Sequence, residues 1–138
     1  DGAAISKLMT QLQTSDVAIS DSAFANLHEL FDSYTVNDEM TVATIAEVFD
    51  NNEYLLDPHS AVGVKSGRAV RRRTDIPMIT LATAHPAKFP DAVMAAGYPH
   101  KPDLPHHMAD LFELEERFVV LPNELSAVQE FVVDNITA

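Results

Sequence analysis

Apolar side chains recur at helical spacing along most of the chain. Ile5, Leu8, Met9 and Leu12 fall at i, i+3, i+4 and i+7, one stripe of an amphipathic helix. A polar break at Thr14-Ser15-Asp16 follows. Ser20 then offers a cap to a second helix with the stripe Phe24, Leu27, Leu30 and Phe31, ending near Tyr34. Asn37-Asp38 caps a third helix built on Val42, Ile45 and Phe49, and Asp50-Asn51-Asn52 is expected to break it. Asp57-Pro58 is a strong start signal, because the carboxylate accepts from free backbone N–H groups while proline fills a position whose donor is not needed. The fourth helix is predicted from Pro58 towards Arg73. This places Arg71-Arg72-Arg73 at its C-terminus, where cations meet the negative end of the helix dipole.

The periodicity changes at residues 77–83. Pro77-Met78-Ile79-Thr80-Leu81-Ala82-Thr83 is a nearly continuous apolar and β-branched run, as expected of a strand covered on both faces of a parallel sheet. The segment from Ala84 to Phe89 reads as a loop, with His85 and Phe89 each extended by the proline that follows. Helix resumes at Pro90 and is stopped by Gly97 and Pro99. A short helical turn is placed between His106 and Phe112, a second strand at Arg117 to Leu121, and a closing helix on Leu125, Val128, Phe131 and Val132. The fold class expected is α/β, with helices flanking a partial, mostly parallel sheet. Residues 1–56 form a helical segment and 57–138 the sheet-contributing part. Two strands do not complete a sheet, and the chain opens at Asp1-Gly2 with a helical stripe at once, so a further, upstream piece of polypeptide is expected.

Composition removes several functional classes. With no cysteine there is no disulfide framework and no thiolate nucleophile or metal ligand. Nine Lys and Arg against 21 Asp and Glu give a net charge of -12, a field that disfavours nucleic acid and anionic membrane surfaces. No run approaches the roughly 20 apolar residues of a membrane span, and no signal-peptide pattern opens the chain, so a cytoplasmic location is expected.

In α/β sheets ligands bind beyond the carboxyl ends of strands, which here means Thr83-Ala84-His85-Pro86-Ala87-Lys88-Phe89. A hydroxyl, an imidazole and an ammonium lie within seven residues. The runs Leu56-Asp57-Pro58-His59-Ser60-Ala61-Val62-Gly63 and Leu81-Ala82-Thr83-Ala84-His85-Pro86-Ala87-Lys88-Phe89-Pro90-Asp91-Ala92-Val93 resemble the two signature segments near the C-terminus of threonine synthases. Their spacing, the Leu104-Pro105 and Leu121-Pro122 punctuation and the terminal helix are also similar to that family, so the resemblance covers most of the chain.

The resemblance implies the C-terminal portion of a fold-type II pyridoxal-phosphate lyase that converts O-phospho-L-homoserine and water to L-threonine and phosphate. It implies that the Schiff-base lysine and the phosphate-holding loop, neither of which has its motif here, belong to an upstream, N-terminal part of the same enzyme. The isolated segment is then expected to be inactive. It places Thr83 where a neutral hydroxyl meets the pyridine nitrogen of the cofactor, leaving the ring less electron-withdrawing than a carboxylate would. His85 is a second cofactor-binding candidate, and Lys88 a partner for a substrate or cofactor phosphate or for a nearby carboxylate. His59 and Ser60 lie in the first turn of the fourth helix, where structural capping by Asp57 is the favoured reading. Two rival readings are carried forward. One is a non-enzymatic acidic helical interaction module or subunit. The other is a metal site on His100, His106, His107 and Asp110, disfavoured because adjacent histidines point apart and no HExxH-like base accompanies them; no metal is expected. The acidic run Glu113, Glu115 and Glu116 reads as a solvated face.

Overall fold

A computed structural model describes residues 2–136. Among these residues six α-helices follow one another: α1 (Gly2–Gln11), α2 (Asp21–Leu30), α3 (Asp38–Asn52), α4 (Pro58–Val70), α5 (Pro90–Ala95) and α6 (Leu125–Ile136). The caps expected from the sequence are in place. Ser20 accepts from the Ala23 amide and Asn37 from the Met40 amide, so α2 and α3 each begin where a side-chain oxygen satisfies a free N–H. The described residues divide between Pro102 and Asp103 into two compact units.

In the first unit the core lies between α3, α4 and α5. Ile45 and Val48 of α3 pack with Leu56 and with Ala61 of α4, and Val93 of α5 is fully buried. Ala61 has no exposed surface, so α3 and α4 approach closely there. Thr41 and Thr44 are also buried, and their hydroxyls donate back to the carbonyls of Asn37 and Met40, which removes the cost of burying them. Phe49 meets Tyr98 edge-to-face at 5.1 Å, joining α3 to the turn after α5. That turn uses Gly97 at φ +92°, which a side chain rarely adopts.

Three helix ends differ from the sequence expectation. α2 stops at Leu30 rather than near Tyr34. α3 runs through Asp50-Asn51-Asn52, with the Asn51 side chain donating to the Glu47 carbonyl, and ends only at Glu53 in the left-handed region. α4 stops at Val70, and the arginines beyond it are used separately. Arg71 donates to the carbonyls of Arg73, Thr74 and Ile76, Arg72 pairs with Asp32, and Arg73 pairs with Asp75. One guanidinium thus organises the whole turn leaving the helix. Arg71→Ala and Arg71→Lys are each expected to lower the urea midpoint by the equivalent of about 1 kcal/mol, because an ammonium does not reproduce the planar fork. Arg73→Lys, which alters only a surface pair, should stay within about 0.5 kcal/mol.

The expected sheet is absent. Among the described residues no strand is formed at 77–83 or 117–121, and the expected α/β class is corrected to an all-helical arrangement with irregular connections. The physical reason is pairing. β-Branched, apolar sequence favours an extended backbone, but a strand exists only when a second chain segment takes its hydrogen bonds. Residues 77–83 lack such a partner and lie instead along α4. Nor is the run covered on both faces. A Cβ built on Gly63 would be 2.7 Å from Thr80 Cγ2, and one on Gly67 would be 3.2 Å from Met78 Cγ, so two glycines one helical turn apart admit this segment. Met78 and Thr80 face the helix, while Ile79 and Leu81 are 83% and 75% exposed.

The second unit contains 3-10 turns at His106–Met108 and Leu111–Glu113, an irregular stretch through 117–121, and α6. Phe118 and Val120 are exposed. The short turn expected between His106 and Phe112 is therefore present as two tighter ones.

Candidate functional site

The fourth helix begins on a carboxylate that carries several contacts. Asp57 is 2% exposed. Its Oδ1 accepts from the backbone amides of His59 and Ser60 and lies 3.2 Å from His59 Nδ1, while the Ser60 hydroxyl donates to Oδ2. Burial alone pushes this carboxyl up, but the Ser60 hydroxyl, the two backbone amides and the His59 ring together outweigh it and hold Asp57 below the ordinary carboxylate range. An ionised carboxylate only accepts hydrogen bonds. His59 Nδ1 is therefore the donor, and the neutral form of the ring compatible with this contact has its lone pair on Nε2.

Residues 85–89 are brought onto this helix start. The Phe89 ring lies 4.9 Å from the His59 ring at a tilt of 57°, and Lys88 Nζ stands 5.7 Å over the Phe89 ring. Pro86–Lys88 forms a 3-10 turn rather than open loop, and His85 caps it, its Nδ1 accepting from the Ala87 amide at 3.2 Å. The two histidines are thus held in opposite tautomers. His59 offers a basic Nε2, whereas neutral His85 carries its proton on Nε2 and offers a donor.

Thr83, at the end of the extended run, lines an open groove of about 580 Å³ together with His59, Gly63 and Ser66 of α4, Tyr34 and Thr80. The Thr83 hydroxyl has no hydrogen-bond partner among the described residues. One carboxylate, Asp32, also borders the groove and is paired with Arg72. The structure thus joins Thr83 to His59 in one groove and joins Lys88 to His59 through Phe89. His85 and Lys88 are not part of the groove wall.

The pairing of His59 with Asp57 is the feature sequence reasoning passed over. Its signal was the two-residue interval in Asp57-Pro58-His59, which puts the ring in reach of the capping carboxylate. Among the described residues no group of three or more His, Asp or Glu side chains is placed to hold a metal ion, so His100, His106, His107 and Asp110 form no such cluster. No helix among them is long and apolar enough to cross a membrane.

Comparison with known proteins agrees with the resemblance seen in the two sequence segments. A family model described as threonine synthase, C-terminal, matches residues 60–132. A threonine synthase of Pseudomonas aeruginosa is 50% identical over 133 residues, which is 96% of this chain and 28% of that protein. Threonine synthase-like 2 of Homo sapiens is 36% identical over 117 residues, 83% of this chain and 24% of its own length. Among solved structures, the PLP-bound threonine synthase from Brucella melitensis matches 100% of this chain and 30% of its own, with a TM-score of 0.79 and 43% sequence identity. The chain therefore spans under a third of the length of these relatives. With more than half of its residues matched by that family, the chain belongs to the C-terminal family of threonine synthases.

Proposed function

We propose that this chain acts as the C-terminal part of a pyridoxal-phosphate-dependent threonine synthase, which converts O-phospho-L-homoserine and water to L-threonine and phosphate in the cytoplasm. The observation carrying this reading is the match of the entire chain to a PLP-bound threonine synthase at 43% identity. The donor set of the groove fits the cofactor. Among the described residues Thr83 presents a neutral hydroxyl without a hydrogen-bond partner, and the carboxylate on the wall, Asp32, is paired with Arg72.

Pyridoxal phosphate, when bound, supplies the electron sink that stabilises carbanion character in the substrate. Thr83 would hold the pyridine nitrogen by a hydrogen bond without a negative charge to keep it protonated, which would moderate that sink. His85, with its proton on Nε2, would donate to the cofactor from the adjacent turn. Lys88, whose ammonium stands over the Phe89 ring, would be the partner for the substrate phosphate. The lysine that forms the Schiff base comes from the remainder of the enzyme.

The direct test is phosphate release and threonine formation by the full-length enzyme supplied with pyridoxal phosphate and O-phospho-L-homoserine. Absence of both products overturns the reading. Thr83→Asp is expected to shift the cofactor absorbance and slow turnover by roughly tenfold or more, because the negative charge of a carboxylate would hold the ring nitrogen in its protonated form. An unchanged spectrum and rate would remove Thr83 from the cofactor site.

A further inference from the structure

We propose that His59 is a catalytic base of this site, taking a proton at Nε2 from the water that reacts with the substrate, and that Asp57 is its positioning residue. This rests on the threonine synthase reading. Three features of the geometry carry it. His59 Nδ1 is tied to a buried aspartate, which selects one tautomer and leaves Nε2 as an acceptor. The ring is further fixed by Phe89 at 4.9 Å. Its side chain is nevertheless 60% exposed and borders the groove that contains the free Thr83 hydroxyl. The helix cap is already complete through the backbone amides and Ser60, so the contact of the His59 ring with Asp57 is additional to capping, and what it adds is the orientation of Nε2.

The proton balance gives this base a task. Between O-phospho-L-homoserine and threonine, phosphate leaves the γ-carbon with the C–O electron pair, and the γ-carbon gains the proton that the β-carbon gives up. Water oxygen bonds to the β-carbon. Water reacts after the phosphate has left, so the proton it sheds passes onto Nε2 and from there to the released phosphate, which carries it away as monohydrogen phosphate. No oxidant or further reactant is required.

The test uses the full-length enzyme loaded with pyridoxal phosphate. His59→Ala is expected to lower kcat by about 100-fold or more, within the usual range for loss of a general base, while KM changes less than about threefold. Imidazole added to the buffer should restore at least part of that rate, and the cofactor absorbance should match that of the unaltered enzyme. Asp57→Asn keeps an acceptor oxygen for the cap but releases the tautomer, and should lower kcat without loss of cofactor. Histidine nitrogen NMR on the unaltered protein should find the proton of neutral His59 on Nδ1 and that of His85 on Nε2.

A His59→Ala enzyme within about fivefold of the unaltered rate would overturn the proposal. So would a loss of rate that imidazole does not relieve, or a neutral His59 with its proton on Nε2. Failure of the unaltered enzyme to make threonine would instead overturn the reaction assigned above, which keeps the two failures separate.

Discussion

Asp57→Ala should destabilise the folded chain by about 3 kcal/mol, read as a fall in the urea midpoint at neutral pH with an unchanged slope. A helix cap alone is worth about 1 kcal/mol. The larger figure follows from burial, because Asp57 is 2% exposed and its removal leaves two backbone amides and the Ser60 hydroxyl without their acceptor. These donors sit beside Ala61 and Leu56, where water does not readily replace the lost oxygen atoms. Asp57→Asn, which keeps an oxygen for the amides, should recover more than half of the loss. A cost of about 0.5 kcal/mol or less for the alanine variant would show that solvent satisfies this helix start.

The same carboxylate makes a directional contribution to acid stability. Its folded-state pKa lies below the ordinary 3.8, so the folded chain holds the ionised form more strongly than the unfolded chain does. That stabilisation is fully present above 3.8 and is lost as pH falls through the depressed folded value. Asp57→Asn removes the titrating group, and its stability should therefore fall less steeply with acid than that of the unaltered chain.

Local chemistry made much of the helical part legible. Ser20, Asn37 and Asp57 each lie just before an apolar stripe, and each caps a helix there. Proline at position 90 and glycine at position 97 bracket α5 for equally local reasons. What failed was the step from extended sequence to sheet. The run at 77–83 has the composition of a strand and lies outside every helix, but hydrogen-bonded pairing is decided by a second segment, and composition does not report one. The stripe of α1 was likewise readable, yet Ile5, Met9 and Leu12 remain exposed, since amphipathicity specifies a buried face only when something packs on it.

The candidate site divides along the same line. Thr83, His85 and Lys88 were visible as a cluster within seven residues because they follow one another closely along the sequence. His59 lies more than twenty residues earlier, and its relation to that segment depends on Phe89 folding onto the start of α4. Asp57 was read only as a cap. It is a cap, and the same oxygen that receives the backbone amides also fixes the imidazole, so a local structural role concealed a second one.

Gly63→Ala should cost about 2 kcal/mol even though alanine favours helix by up to about 1 kcal/mol over glycine. The opposing term is steric. The added Cβ would stand 2.7 Å from Thr80 Cγ2, and Thr80 is β-branched, so relief requires an altered rotamer or movement of the extended run away from α4. Thr80→Ser removes that methyl group and retains the hydroxyl. The double variant Gly63→Ala with Thr80→Ser should therefore regain most or all of the lost stability, a coupling of about 2 kcal/mol in a double-mutant cycle. Additive costs would show that the run does not rest on the helix at this point. The contact also bears on the site, because Thr83 is three residues beyond Thr80 on the same segment. In the full-length enzyme Gly63→Ala should disturb the cofactor absorbance along with stability, and the Thr80→Ser partner should restore both.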